Sequence, residues 1–149
     1  MPGRMLRLIA AMLVAPGLGA TAFAQPIECR GGQKSQQVAE LMFGRNIGNR
    51  IGVSEAAFAR FVSREITPRF PDGLTVLSAS GQWRDAERKT IVREPSKVVL
   101  IVLPGTDEDI ARLAEIAEAY KTAFRQQSVG IIIRPGCVSF CVTPYCGTR

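Results

Sequence analysis

Six consecutive apolar residues, Val98-Val99-Leu100-Ile101-Val102-Leu103, stand without a polar interruption near the middle of the second half of the chain. A run this short and without alternation reads as a strand covered on both faces, so it predicts the central strand of a sheet. A helix signal follows almost at once. Thr106 is placed to cap it, and Asp107, Glu108 and Asp109 lie against the positive end of its dipole. Ile110, Leu113, Ala117, Tyr120 and Phe124 recur at helical spacing and form the expected buried stripe. At about 1.5 Å per residue, Asp107 to Gln126 is about 30 Å long, enough to cross a sheet.

The other elements fall around this pair. Val38 to Phe43 alternates, with Ala39, Leu41 and Phe43 on one face and Val38, Glu40 and Met42 on the other, which predicts a first strand. Arg45 to Gly52 reads as a loop; its glycines lack the Gly-Lys-Ser/Thr ending or dinucleotide fingerprint of a phosphate-binding turn. Ser54 caps a first helix that carries Phe58, Phe61, Val62 and Ile66 and stops at Pro68. Leu74 to Trp83 is the second strand, with Gly81 read as a bulge or a close backbone approach. Asp85 to Lys89 is a hairpin tip, Thr90 to Val92 begins the return, and Glu94-Pro95 is expected to interrupt pairing. Val129 to Ile133 is the fourth strand, closed by Pro135-Gly136.

Strand, helix, strand, strand, helix, strand is the order of a split βαβ unit. The expected class is α+β, ferredoxin-like (β-α-β-β-α-β), a four-stranded antiparallel sheet with two helices on one face. Half of the apolar residues of the inner strands then face away from the helices. A second copy packed sheet to sheet is the first expected cover, ahead of the N-terminal extension or an apolar ligand.

The N-terminus sets the compartment. Arg4 and Arg7, the apolar run Leu8 to Val14, and Ala22-Phe23-Ala24 before Gln25 form the three parts of a secretory leader. Pro16, Gly17 and Gly19 break the apolar stretch short of the roughly 20 residues that span a bilayer. Residues 1–24 are therefore expected to be a cleaved signal peptide, with no stable membrane insertion afterwards and a periplasmic or secreted product. Residues 25–37 read as a polar extension, 38–140 as the ferredoxin-like domain and 141–149 as a disulfide-stapled tail. After the leader, 17 basic residues face 13 acidic ones. They are interspersed rather than gathered in a stripe, which argues against nucleic acid as a partner. The chain has no histidine, so imidazole bases, His triads and His metal sites are excluded.

Cys29, Cys137, Cys141 and Cys146 are even in number in an exported chain, which points to disulfides with three possible pairings. The pairing we favour is Cys29 with Cys137 and Cys141 with Cys146. No Cys-x-x-Cys is present, which argues against both a zinc site and redox catalysis. No metal and no cofactor is expected.

The run Ile66-Thr67-Pro68-Arg69-Phe70-Pro71-Asp72-Gly73-Leu74-Thr75-Val76, continuing to Gly81-Gln82-Trp83-Arg84 and Arg93-Glu94-Pro95-Ser96-Lys97, resembles the exported bacterial domain-of-unknown-function family 3574. Glu40-Leu41-Met42-Phe43-Gly44 is similar to that family's first strand, Gln127-Ser128-Val129 to the start of its last, and Cys137-Val138-Ser139-Phe140 to its ending. The resemblance covers residues 29 to 140. It implies a small exported domain and a bridge from Cys29 to Cys137. The tail Cys141 to Arg149 departs from the family pattern, and no activity comes with the resemblance.

Candidate site residues are few. Gln82, Trp83 and Arg84, near Arg93 and Glu94, offer a stacking surface with hydrogen-bond donors for a small anionic or carbohydrate-like ligand. The plainer reading makes Trp83 a hairpin anchor and Arg84 with Glu94 a surface ion pair. Arg69 and Asp72 read as parts of a turn rather than a functional pair. Glu40, a carboxylate in an apolar strand, must be exposed, paired or functional. Because first and fourth strands are neighbours in this topology, Arg134 is its expected partner, with both side chains on the helix-free face. No catalytic residue is nominated. The expected function is a non-catalytic binding or interaction protein; the alternative is a small enzyme of the dimeric ferredoxin-like barrel type, with the helix-free face as its pocket.

Overall fold

A computed structural model of the protein describes residues 27–48, 50–85 and 87–140. The leader expected over residues 1–24 and the tail with Cys141 and Cys146 lie outside the described residues. Strand β1 (Lys34–Gly44) leads through a small ribbon, β2 (Asn46–Ile47) and β3 (Arg50–Ile51), to helix α1 (Glu55–Phe61), which widens into a π turn over Val62–Ile66. Strands β4 (Thr75–Arg84) and β5 (Ile91–Val102), helix α2 (Asp109–Phe124) and strand β6 (Gly130–Val138) follow. The main sheet has the order β4-β5-β1-β6, and every neighbouring pair is antiparallel. The fold is the expected α+β, ferredoxin-like one.

Helices and sheet meet over an aromatic core. Ala39, Leu41 and Phe43 of β1 and Val99 and Ile101 of β5 are buried, together with Phe58 and Phe61 of α1 and Leu113, Ile116 and Tyr120 of α2. Tyr120 packs edge-on against Phe43, centroids 4.7 Å apart, and against Phe61 at 5.0 Å. Its hydroxyl donates to the Gly44 carbonyl at 2.8 Å, so the one polar atom of this buried ring has a partner. Ile110, expected in the buried stripe, is 54 % exposed; Ile116 takes its place one turn and a half further on.

Several boundaries differ from those the sequence suggests. The Arg45–Gly52 loop contains the two-stranded ribbon, because Gly48 at φ +64° supplies the left-handed turn that a short hairpin needs. Register runs unbroken through Gly81, so there is no bulge. Pro95 does not interrupt β5. In a strand, N and C=O of one residue face the same neighbour, and the Pro95 carbonyl accepts from Arg45 N at 3.1 Å, just past the end of β1. Its missing N–H therefore falls where the β1 ladder has already stopped. Pro135 likewise lies within β6, an edge strand, where one side of the backbone needs no partner. The start of α2 is closed by Asp109 rather than by Thr106. The Asp109 carboxylate accepts from the Gly105 and Thr106 N–H groups at 2.8 and 3.0 Å and from the Thr106 hydroxyl at 2.7 Å. At α1 the expected cap holds, with Ser54 Oγ accepting from Ala57 N at 3.1 Å.

Cys29 and Cys137, 108 positions apart in sequence, are joined by a disulfide with Cα atoms 5.4 Å apart. Closing a loop of this length restricts the unfolded chain strongly. The Cys29→Ser/Cys137→Ser variant is expected to lose about 2–4 kcal/mol, read as a lower urea midpoint with an unchanged native near-UV spectrum. Tyr120→Phe removes only the hydroxyl and is expected to cost about 1–2 kcal/mol, because the Gly44 carbonyl loses its donor; the same urea titration measures it.

Candidate functional site

Side chains alternate along each strand, so the helix-free face is set by the register. It carries Glu40 and Met42 from β1, Val98 and Leu100 from β5, Leu77 and Trp83 from β4, and Ile132 and Arg134 from β6. Val99 and Ile101 on the helix side are fully buried, whereas Val98 and Leu100 are only half covered. The apolar run of β5 is thus central, as expected, but closed on one face only. Leu77 is 51 % and Ile132 46 % exposed. Glu40 accepts a hydrogen bond from Arg134 Nη2 across the strands, so the expected ion pair forms on the expected face.

Two hollows lie on this face. One, of about 670 Å³, sits at the β1 start and is bordered by Gln36, Leu100, Val102 and Phe140. The other, of about 510 Å³, sits at the β1 end. Its floor is made of residues with little or no side chain, Gly44, Ala79, Gly81 and Ser96, and Trp83 forms a wall. The Trp83 indole N–H donates to Glu94 Oε1 at 2.7 Å, and Asn46 N donates to Glu94 Oε2 at 3.0 Å. Glu94 lies flat across Gly44, where a Cβ would come within 2.7 Å of Oε1. Any side chain at position 44 would displace the carboxylate. Asp85, at the hairpin beside this hollow, accepts from the Arg88 and Glu87 N–H groups at 2.9 Å each, which hold its carboxyl below the usual range against the opposing effect of burial.

Arg84 does not border the Trp83 hollow, and Gln82 borders it from a strand position of opposite parity. One residue along a strand is the opposite face, so both side chains leave β4 on the helix side, with Arg93 opposite Gln82. Glu94 is held by Trp83 and Asn46; among the described residues it makes no ion pair with Arg84. Arg69 joins Glu65 and Glu115 rather than Asp72.

A second polar cluster has no counterpart in the sequence expectations. Lys97 is buried on the helix side of β5, and its Nζ donates to Glu55 Oε2 and Ser78 Oγ, each at 2.8 Å. Arg45, also buried, donates through Nε to the Val53 carbonyl at 2.9 Å and through Nη1 to Glu55 Oε1. One carboxylate in the first turn of α1 thus serves two desolvated cations. The hydrogen bond from Lys97 holds the Glu55 carboxyl below the usual range; burial opposes this and Arg45 adds to it. The signal was Lys97 itself, a lone cation at a helix-facing position between Phe43 and Ser78. Among the described residues no group of three or more His, Cys, Asp or Glu is placed to hold a metal, and no helix is long and apolar enough to cross a membrane.

A family model for proteins of unknown function, DUF3574, matches residues 38–140. The chain belongs to the DUF3574 family. No curated protein matches this DUF3574 chain in sequence. Among solved structures it is similar to a phage SAM lyase in complex with S-methyl-5'-thioadenosine, with a TM-score of 0.57 and 18 % identity over 74 % of this chain and 87 % of that one. The same lyase in its apo state gives 0.55 and 21 % over 73 % and 86 %. CutA from Synechococcus elongatus, complexed with Bis-Tris, gives 0.46 and 8 % over 72 % and 87 %. At such identities the likeness of the DUF3574 domain to the lyase is one of fold.

The depressed Glu55 carboxyl carries a pH signature. A carboxylate whose folded pKa lies below its unfolded value stabilises the fold above the unfolded value, and that stabilisation is lost as pH falls through the folded one. Glu55→Gln is expected to make the acid limb of the stability–pH curve shallower, without flattening it, since Asp85 and Asp109 are shifted in the same direction. Urea midpoints from neutral pH down to strongly acid pH measure the slope, and an unchanged slope contradicts the coupling.

Proposed function

We propose that this protein is an exported, non-catalytic binding domain, working in the periplasm or outside the cell, with the helix-free sheet face as its binding surface. The observation that carries the reading is the composition of that face: Leu77, Met42 and Ile132 stand exposed around the Glu40–Arg134 pair, with a hollow at either end. An apolar patch rimmed by polar groups marks an interaction site. The Cys29–Cys137 disulfide supports an oxidising compartment.

A second copy is the partner that suits the middle of the face. Glu40 and Arg134 are opposite charges on one surface, so a two-fold axis between them sets each copy's Glu40 against the other's Arg134 over a shared apolar floor. The enzyme alternative is supported by the fold likeness to the phage lyase alone. S-methyl-5'-thioadenosine is the natural probe for it.

Sedimentation of the oxidised protein tests the reading. A concentration-dependent dimer is expected, with Leu77→Asp weakening it at least about tenfold and the Glu40→Arg/Arg134→Glu exchange preserving it. A monomer at the highest soluble concentration removes the second copy as partner. The mass of protein recovered from its host is expected to begin at Gln25, and an intact leader removes export.

A further inference from the structure

The Trp83 hollow is built to a narrower chemistry than the rest of the face. With its N–H given to Glu94, the indole, 38 % exposed, is fixed in orientation and offers ring surface instead of a donor. Glu94 spends one acceptor site of each oxygen on Trp83 and Asn46 and keeps one on each for a further donor. Across the hollow stand Arg125 and Gln127, which bring hydrogen-bond donors to the opposite rim. These groups sort the ligands that fit. An anion meets the Glu94 and Asp85 carboxylates beside the Trp83 wall, and an organic cation on the ring meets Arg125 at the rim, Arg88 being paired with Asp85. A neutral ring bearing hydroxyls avoids both conflicts: its C–H face lies on the indole, its hydroxyl hydrogens go to Glu94, and its oxygens accept from the rim. The volume, about 510 Å³, is within the small-molecule range of about 300–1,000 Å³.

We propose that this hollow is a binding site for a neutral sugar ring, stacked on Trp83 and hydrogen-bonded to Glu94. The proposal rests on the helix-free face being the binding surface and names the ligand of one end of it. Gly44 is its positioning residue, because only an absent Cβ lets the carboxylate lie where a sugar hydroxyl would meet it.

Trp83 is the chain's single tryptophan, so its fluorescence reads the site directly. Glucose, N-acetylglucosamine and the β-1,4-linked disaccharide of the latter are the probes, with glycerol as the control for non-specific solvent effects. At least one sugar is expected to give a saturable change that glycerol does not. Glu94→Gln and Gly44→Ala are each expected to weaken it at least tenfold, with native near-UV dichroism establishing that the variant is folded. Amide and indole chemical shifts supply the second readout, with changes expected at the Trp83 indole N–H and at Gly81 and Ser96. No saturable response to any of the three sugars, or equal affinity in both variants and the wild type, overturns the site. Shifts gathered at the Phe140 end overturn it too, while leaving the face as the binding surface. A response to S-methyl-5'-thioadenosine in place of the sugars overturns the ligand class and favours the enzyme reading. The sedimentation result is independent of all of these.

Discussion

β1 ends at a residue without a side chain, and both layers of the protein make contact with it. On the helix side the Tyr120 hydroxyl donates to the Gly44 carbonyl, at the edge of a cluster in which Tyr120 touches Phe43, Phe58, Phe61 and Phe124. On the other side Glu94 lies over the Gly44 backbone and holds the Trp83 indole. Burial raises the Tyr120 phenol above its ordinary range, which favours the protonated donor. A side chain at position 44 would meet the Glu94 carboxylate, whereas the carbonyl that Tyr120 uses is present in any residue.

The next residue along extends the same logic to charge. Arg45 donates its N–H to Pro95, its carbonyl accepts from Gly52 and Val53, and its guanidinium reaches Val53 and Glu55. Lys97, two positions from Pro95, meets the same Glu55 carboxylate. Taking two cations out of water is expensive, and apolar residues of similar volume commonly serve stability as well or better. What the cluster supplies is placement. Glu55 stands in the first turn of α1, so its bonds to β5 and to the turn after β1 fix where that helix begins over the sheet. Ser54 supplies the local cap, and Glu55 makes the start of α1 a tertiary feature.

Topology and packing faces were legible in the chain because they follow from periodicity. The alternation of Ala39, Leu41 and Phe43, the stripe Leu113, Ala117 and Tyr120, and the unbroken run of β5 each mark a face directly. The Glu40–Arg134 pair was legible at one remove: the split βαβ order makes β1 and β6 neighbours, and parity does the rest. Other features depend on geometry that residue type does not encode. Thr106 and Asp109 are both good capping residues, and only the course of the backbone at Gly105 decides that Asp109 folds back. Pro95 and Pro135 looked like breaks because a proline lacks a donor, but the missing donor matters only on the side where a ladder bond would have been. Gln82, Trp83 and Arg84 looked like one surface because they are adjacent in sequence, and adjacency in a strand places them on opposite faces. Trp83's true partner, Glu94, is found through the hairpin register, diagonally across it.

The disulfide and the Gly44 contact pin β1 at its two ends, and they act on different quantities. Cys29–Cys137 lies beside the first residues of β1, with Cys137 opposite Ser35, about 30 Å from Gly44 at roughly 3.4 Å per residue. A cross-link of this kind acts mainly by restricting the unfolded chain, so it changes how much of the protein is folded. It has no side chain near Trp83 through which to change the shape of the hollow. Gly44, by contrast, leaves the space in which Glu94 lies and from which it holds the indole. Reducing the bridge therefore scales the population of a site whose geometry is determined at the other end of the strand.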